Sequence, residues 1–193
     1  MSGTVAVSAW DAHYAAGRGF RPLMSEEQQL FEHQVGTADT AGLLALDIGC
    51  GTGEFARYLS ACGYDALGVD CAPTAISLAS TRYDNIDNLS FRHWNAESEE
   101  WDTLPRYAVI TARLSYAFIQ NKTQFLEQIR KHLVPGGYFH VMTPRAEHLP
   151  PERRNTGITA AEVTELRAGW ARVREHDLDA QHTCYTLTHQ HES

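Results

Sequence analysis

The sequence predicts an α/β protein built on a doubly wound sheet of seven strands, mostly parallel, with one antiparallel edge strand. Short apolar runs alternate with helical patterns along most of the chain, which is typical of a parallel sheet covered by helices on both faces. A turn with three glycines directly follows the first apolar run, at residues 49–53. The chain closes with two β-rich stretches that no helix separates, which predicts a hairpin at one edge of the sheet.

The first half of the chain supplies three of these strands. Ser25 followed by Gln28 is a capping-box pattern and predicts a helix that begins at Ser25. The continuous apolar run LLALDI predicts a strand buried on both faces. Pro73 suits the first turn of a helix. In chain order we expect a helix over 25–35, a strand over 43–48, a helix over 53–62, a strand over 65–70, a helix over 73–83 and a strand over 89–94.

The second half of the chain supplies the other four strands. Phe125, Ile129 and Leu133 recur at four-residue steps and predict an amphipathic helix, which the following PGG segment should end. Thr159 is a candidate N-cap for the last helix. In chain order we expect a strand over 107–112, a helix over 121–133, a strand over 138–143, a helix from 159, and strands over 171–179 and 184–190.

Length, charge and cysteine usage limit the classes of protein. The 193 residues contain no linker, so we predict one domain over residues 1–193. A net charge of −8 repels a phosphate backbone and argues against nucleic acid as a partner. No apolar stretch reaches the roughly 20 residues of a membrane span, and the start does not resemble a signal peptide. Four cysteines without CxxC pairing favour reduced thiols, no metal site and a cytoplasmic location.

The glycine turn selects the kind of ligand. A dinucleotide site needs G-x-G-x-x-G, but in GCGTGE the third glycine comes one residue early and Glu54 occupies the position of a small residue. No G-K-[ST] follows, so the turn is not a Walker loop. We therefore expect a nucleoside-like ligand without a phosphate at this turn. Asp70 ends the second strand, where a carboxylate can accept hydrogen bonds from both ribose hydroxyls.

Two stretches carry a family resemblance. LDIGCGTGEFARYL and ALGVDCAPTAISLA resemble motif I and post-motif I of the class I S-adenosylmethionine-dependent methyltransferases, and LVPGGYFHV resembles the segment before that family's fifth strand. The resemblance covers about residues 40–143. It implies a Rossmann-like sheet and S-adenosyl-L-methionine as the cofactor, with S-adenosyl-L-homocysteine as its product. The cofactor contacts that it implies, together with an arginine for the methionine carboxylate, are Asp47, Gly49, Cys50, Gly51, Gly53, Asp70, Cys71, Asn95, Ala96 and Arg21.

The chain also departs from the family pattern. Asn95 stands where an aspartate is usual, although its amide oxygen can still accept from the adenine amino group. Ala108 stands where the family often has an acidic residue. The resemblance further implies an N-terminal helical lid, here residues 1–36, over a core of residues 40–193. Tyr14 in this lid would line the methyl channel; a plain hydrophobic anchor is the alternative.

Basic residues suggest the acceptor. Arg113 ends the fourth strand, in the crevice where open α/β sheets bind ligands. It and the other arginines near the open end of the sheet predict an anionic acceptor, a carboxylate or a phosphoryl group, with solvated surface arginines as the alternative. His148, in the loop after the fifth strand, is the first candidate for a general base, and the alternatives are His13, His93 and Tyr116. The arginines of this group are Arg18, Arg21, Arg113, Arg153 and Arg154.

The leading interpretation is an enzyme that methylates an oxygen or nitrogen atom of a small anionic metabolite, in the manner of methyltransferases of secondary metabolism. The alternatives are an RNA or protein methyltransferase and an accessory protein that binds the cofactor without methyl transfer. The stretch ARLSYAF lacks the (N/D)-P-P-(Y/F) tetrapeptide of enzymes that methylate bases, which disfavours the RNA reading. The sequence leaves the oligomeric state open, with a homodimer as one option.

Overall fold

The computed structural model describes residues 6–37 and 39–190. Its centre is one sheet with the strand order β3-β2-β1-β4-β5-β7-β6. The strands are β1 (Leu44–Ile48), β2 (Asp65–Asp70), β3 (Leu89–His93), β4 (Tyr107–Arg113), β5 (Leu133–Pro144), β6 (Arg172–Asp177) and β7 (His182–Thr188). The helices are α1 (Val7–Ala15), α2 (Ser25–Val35), α3 (Glu54–Ala61), α4 (Pro73–Arg82), α5 (Lys122–His132) and α6 (Ala160–Arg167), with short 3₁₀ turns at Trp101–Thr103, Tyr116–Phe118, Ala146–His148 and Pro151–Thr156.

The predicted fold class is confirmed. Strands β1 to β5 pair in parallel, and β7 pairs antiparallel with both β5 and β6. The strand that runs antiparallel to the others is β7. It lies between β5 and β6, so β6 and not β7 forms the edge of the sheet. The sequences of the two strands explain this order. β7 carries CYTL and is buried, whereas β6 reads RVREHD and is largely exposed, and charged side chains suit an unpaired strand edge.

Most element boundaries agree with the sequence prediction to within two residues, but one predicted cap and one strand differ from it. Helix α2 begins at Ser25 as predicted, but its N-cap is Met24 and not Ser25, whose hydroxyl donates to Glu26 instead. Strand β5 begins at Leu133, directly after α5, and includes the PGG segment. The register with β4 shifts between Tyr107 and Val109, so a bulge accommodates the extra residues. At α6 the predicted N-cap Thr159 is confirmed and forms a complete capping box with Glu162.

The core lies on both faces of the sheet, as expected of strands that are continuously apolar. Leu46 and Ile110 belong to the cluster under α5 and α6, which Trp101, Phe125 and Trp170 complete. The adjacent residues of the same strands, Ala45 and Val109, belong to the opposite cluster around Phe31, Phe55 and Leu59. Successive strand residues point to opposite faces, so β1 and β4 are buried on both sides and hold the glycine turn rigidly.

The N-terminal region divides into two parts. Helix α1 packs against the start of α4, where the Asp11 carboxylate accepts a hydrogen bond of 2.8 Å from the Thr74 amide. Helix α2 belongs to the core, because Phe31 is fully buried and its ring meets Phe55 at 5.6 Å. Of the predicted lid over residues 1–36, only α1 and the connecting segment of residues 16–24 lie over the sheet end, and residues 1–5 are outside the described residues.

No helix within the described ranges is both long enough and apolar enough to cross a membrane. Within the same ranges, no group of three histidine, cysteine or acidic side chains is arranged to hold a metal ion. All four cysteines are free thiols.

Candidate active site

A cavity of about 220 Å³ opens at the carboxyl ends of β1, β2 and β4. Its walls come from the glycine turn, the ends of β2 to β4, helix α1 and the connecting segment. This is the crevice in which open α/β sheets bind ligands. The structure brings most of the sequence-predicted residues to it, namely Tyr14, Arg21, Asp47, Gly49, Cys50, Gly51, Asp70, Cys71, Asn95, Ala96 and Arg113.

The glycine turn is shaped by contacts that only glycine permits. Gly49 and Gly51 have φ angles of +71° and +54°, in the left-handed region. A Cβ atom at Gly51 would lie 2.7 Å from the Tyr14 hydroxyl oxygen, and one at Gly49 would overlap Ser115. Gly53 does not line the cavity; it is the left-handed N-cap residue of α3 and ends the turn. The turn therefore presents bare backbone to the cavity.

Asp70 is fixed beside this turn. Its Oδ2 accepts a hydrogen bond of 2.9 Å from the Gly51 amide, and its Oδ1 accepts one of 2.9 Å from the Ala72 amide. Burial raises the pKa of the carboxyl, while these two amides favour its ionised form and oppose the effect. Because a carboxylate offers about four lone-pair sites, both oxygens keep acceptor capacity for a ligand hydroxyl pair.

Asp47 lies deeper, at the end of β1. The Thr111 hydroxyl donates to its Oδ1 at 2.7 Å, but its Oδ2 has no hydrogen-bond partner among residues 6–37 and 39–190. Burial raises the pKa of Asp47 to about 6. A buried carboxylate oxygen without a partner is costly. Asp47 is thus suited to receive a cationic group of a ligand.

The predicted adenine side is a tight turn after β3. The Asn95 Oδ1 already accepts from the Glu97 amide at 3.0 Å, so an adenine contact would use its second lone pair. The Ala96 carbonyl is held by the Trp101 indole at 2.9 Å. The Glu97 carboxylate accepts from the amides of Gln120 and Asn121. These bonds join the turn to the loop after β4 and fix the edge of the cavity.

Helix α1 contributes an aromatic wall. Val7, Trp10 and Tyr14 lie on one helical face and line the cavity. Trp10 meets Phe118 at 4.7 Å and Phe20 at 5.8 Å between ring centroids. Burial raises the pKa of Tyr14 well above its usual range. The Tyr14 hydroxyl therefore stays protonated beside Gly51 and cannot serve as a base.

Arg113 is bound to another side chain rather than left free for a ligand. Its Nε and Nη2 donate to the two Glu27 carboxylate oxygens at 2.7 and 3.1 Å. Nη2 also donates to the carbonyls of Arg21 and Pro22, at 3.0 Å each. The prediction that Arg113 binds an acceptor anion is thereby corrected, because a buried carboxylate lies against its guanidinium and cancels the charge. Arg113 instead holds the connecting segment.

Arg21 is likewise engaged. Its Nε donates to Glu27 at 3.2 Å, and its Nη1 contacts the Asp179 carboxylate and lies 3.2 Å from His182 Nδ1. Asp179 and His182 flank the turn between β6 and β7. Arg21 therefore ties the connecting segment to that turn. Because its guanidinium is already paired with two carboxylates, the prediction that it binds the methionine carboxylate is not supported.

His148 does not line the cavity. It lies in the 3₁₀ turn after β5, where its Nε2 is 3.8 Å from the Glu147 carboxylate. No other histidine and no lysine among the described residues lines the cavity either. The candidate general base is thus not part of the cavity, and the start of the loop after β5 is held to Ile158 by backbone hydrogen bonds. The other predicted arginines, Arg18, Arg153 and Arg154, do not line the cavity.

Several residues of the site were not predicted from the sequence. Glu27 is almost fully buried and organises both arginines. Trp94 forms part of the floor, and its buried indole N–H has no acceptor within the described chain. Leu114 has a φ of +60°, a strained conformation for a branched residue, and turns the chain after β4. No short sequence pattern marks Glu27 or Trp94 as part of the site, because the residues that they contact are distant in sequence.

Comparison with known proteins gives a consistent result. A family model described as a methyltransferase domain matches residues 25–190. The ubiquinone biosynthesis O-methyltransferase of Rickettsia conorii is 27% identical over 139 residues, which is 72% of this chain and 46% of that protein. That of Rickettsia akari is 28% identical over 132 residues, 68% of this chain and 50% of that protein. The chain thus spans about half the length of the curated relatives it matches.

Solved structures share the fold. A SAM-dependent methyltransferase from Aquifex aeolicus has a TM-score of 0.69 at 19% identity, covering 86% of this chain and 90% of that one. An N-methyltransferase from Bradyrhizobium japonicum in complex with S-adenosyl-L-homocysteine has a TM-score of 0.65 at 16% identity, covering 86% and 88%. At these identities the likeness concerns the architecture of the sheet and its helices.

Proposed function

The chain belongs to the methyltransferase-domain family, and on that premise we propose that it transfers a methyl group from S-adenosyl-L-methionine to an oxygen or nitrogen atom of a small molecule. The observation that carries the proposal is the pair of buried carboxylates beside the glycine turn. Asp70 is fixed by two backbone amides with acceptor capacity to spare, and Asp47 keeps one oxygen without a partner among the described residues.

The residues present fit this cofactor. Asp70 would accept hydrogen bonds from the ribose hydroxyls, and Asp47 would receive the ammonium group of the methionine portion. Gly49 and Gly51 would let that portion pass close to the backbone, and Cys71 and Asn95 would flank the adenine. When bound, S-adenosyl-L-methionine supplies a methyl group on a positively charged sulfur, which is a good leaving group and needs no metal.

The protein's part in the reaction is alignment and exclusion of water. Rigid strands β1 and β4 position the floor, while α1 and the connecting segment cover the cavity. Holding two reactants in line contributes about 7–11 kcal/mol in intramolecular reactions. In this proposal Asp47 and Asp70 are engaged by the cofactor, Glu54 and Glu97 already accept backbone amides, and the Tyr14 hydroxyl stays protonated. No side chain is therefore assigned as the base, and a proton that the acceptor loses passes to water at the mouth.

The predicted anionic acceptor is not carried forward. It depended on free guanidinium groups at the open end of the sheet, and Arg21 and Arg113 share the Glu27 carboxylate while Arg21 also meets Asp179. These two cations and two anions sum to zero charge. An acceptor carboxylate there would be desolvated beside Glu27 without a dedicated partner.

Calorimetry tests the proposal directly. We expect S-adenosyl-L-homocysteine to bind with one site per chain, and Asp70→Ala to weaken it at least tenfold because the ribose acceptor and the anchor of the turn are both lost. Asp65→Ala, an exposed carboxylate at the other end of the same strand, is the matched control and should bind normally. Binding of NAD with no binding of S-adenosyl-L-homocysteine would contradict the proposal.

A further inference from the structure

The first turn of α4 has no cap of its own. Its N-cap residue is Ala72, whose side chain cannot accept a backbone amide, and its first turn contains no acidic residue. The Asp11 carboxylate takes this place, because its Oδ1 accepts a hydrogen bond of 2.8 Å from the Thr74 amide. A carboxylate at the amino end of a helix satisfies an otherwise unpaired amide and interacts favourably with the helix dipole. Helix α4 is thus capped by a residue of α1, 63 positions earlier in the chain.

This capped turn follows directly after the carboxylate that is proposed to hold the ribose. Cys71 and Ala72 are the two residues between Asp70 and α4. The Ala72 amide donates to Asp70 Oδ1 at 2.9 Å, and His93 Nε2 lies 3.0 Å from the Cys71 carbonyl oxygen. Because the N-cap residue of α4 is also a hydrogen-bond donor to Asp70, the position of this carboxylate depends on how the first turn of α4 is held.

Helix α1 also packs on this turn through apolar side chains. Tyr14 and Ala72 belong to one buried cluster, and Trp10 packs against it. The Tyr14 hydroxyl lies so close to Gly51 that a Cβ atom there would be 2.7 Å from it. Gly51 and Ala72 supply the two amides that fix Asp70. Both of these residues therefore have side chains of α1 against them.

We propose that Asp11 is a positioning residue for the cofactor site, which caps α4 from α1 and thereby holds Asp70 in the geometry that receives the ribose hydroxyls. The inference deepens the proposed function and rests on it. Asp11 does not line the cavity, so its effect on a ligand passes through α4. Because coupling between two equilibria is reciprocal, binding of a ribose at Asp70 should strengthen the docking of α1 by the same factor.

Calorimetry with S-adenosyl-L-homocysteine and with methylthioadenosine tests the inference. Methylthioadenosine keeps the ribose hydroxyls and lacks the amino-acid portion. We expect Asp11→Ala to weaken the binding of both compounds about threefold to tenfold, in line with the loss of a helix cap. Asp11→Asn keeps an acceptor oxygen and should retain most of the affinity. Ser8→Ala, at an exposed position of the same helix, is the matched control and should bind both compounds normally.

Two further measurements give results that a general loss of stability would not produce. In a chain that already carries Asp70→Ala, the addition of Asp11→Ala should change the affinity for S-adenosyl-L-homocysteine less than twofold, because the two residues act on the same contact. In hydrogen exchange, S-adenosyl-L-homocysteine should slow the exchange of the α1 amides in the wild type and clearly less in Asp11→Ala.

The outcomes separate the inference from the function that underlies it. Equal affinities of the wild type and Asp11→Ala would overturn the role of Asp11, as would a loss confined to S-adenosyl-L-homocysteine or an equal loss in Asp11→Asn. Losses that multiply in the Asp70→Ala chain, or an exchange of α1 that the ligand leaves unchanged, would do the same. Failure of the wild type to bind S-adenosyl-L-homocysteine at all would instead overturn the methyltransferase proposal.

Discussion

Glu27→Gln is the most informative perturbation of the site. The Glu27 carboxylate is 3% exposed and accepts three hydrogen bonds, two from Arg113 and one from Arg21. Glutamine keeps one acceptor oxygen and replaces the other with an NH₂ group that faces guanidinium donors. Hydrogen bonds to charged groups contribute about 1.5–3 kcal/mol, and breaking a buried ion pair costs about 3–5 kcal/mol.

We therefore expect Glu27→Gln to lower the free energy of unfolding by about 3 kcal/mol. For a domain of this size, that corresponds to a fall in Tm of about 6–12 °C. Urea unfolding followed by circular dichroism and a thermal scan measure the two quantities. Glu26→Gln is the matched control, because Glu26 is exposed on the same helix and should change stability by less than about 0.5 kcal/mol.

A double-mutant cycle locates the effect. Arg113→Met combined with Glu27→Gln should lose clearly less than the sum of the two single losses, since each removes the same interaction. If Glu27→Gln costs no more than Glu26→Gln, or if the two losses simply add, the buried pair does not hold the connecting segment and the reasoning fails.

Three further predictions concern the cavity and its surroundings. Gly51→Ala should weaken S-adenosyl-L-homocysteine binding at least tenfold in calorimetry, because the new Cβ would meet the Tyr14 hydroxyl. Adding Tyr14→Phe to this variant should restore part of the affinity. If it restores none, the steric explanation is wrong. Burial raises the pKa of Asp47 to about 6, so the affinity of the wild type for S-adenosyl-L-homocysteine should fall as the pH drops below 6. Asp47→Asn should bind S-adenosyl-L-homocysteine about tenfold to a hundredfold more weakly at pH 7.5. The variant should also lose this pH dependence, while the free protein keeps its stability. Burial lowers the pKa of His140 to about 4. As the pH falls, the histidine of the unfolded chain is therefore protonated before that of the folded chain. The contribution of His140 to the free energy of unfolding is complete above about pH 6.5 and falls by about 1.4 kcal/mol per pH unit toward pH 4. The raised pKa of Asp47 changes stability with pH in the opposite direction. The measurement is therefore the difference in the free energy of urea unfolding between the wild type and His140→Gln as a function of pH. If the two proteins show the same pH slope, the lowered pKa of His140 is refuted.

Local patterns were sufficient to predict the sheet and the glycine turn. The run LLALDI is buried on both faces because its alternate residues enter different clusters. Thr159 and Glu162 form their capping box within three residues, so it can be read directly from the sequence. Gly49, Gly51 and Asp70 meet because parallel strands end at one edge of the sheet.

Partnerships across long sequence separations could not be predicted. Arg113 does lie at the crevice, but its partner Glu27 is 86 positions away. In the sequence Glu27 is one of several polar residues in SEEQQ, with no sign that it alone is buried. The contacts of helix α1 could not be predicted from periodicity, because polar residues such as Asp11 and His13 also contact the rest of the protein. The position of His148 depends on the course of the loop after β5, which is set by backbone hydrogen bonds with Ile158. The amino-acid composition of the loop does not predict that course.

The connecting segment has a kinetic consequence. Arg113 holds the carbonyls of Arg21 and Pro22, and the Leu23 amide donates to Glu54 at the start of α3. Small molecules that enter or leave beneath it require these ties to open together, which is a local unfolding step of the kind that often limits turnover. The residence time of S-adenosyl-L-homocysteine would then be set by Glu27 and Glu54, the two carboxylates that hold this segment, so the overall rate can be changed at residues that do not act on the methyl group.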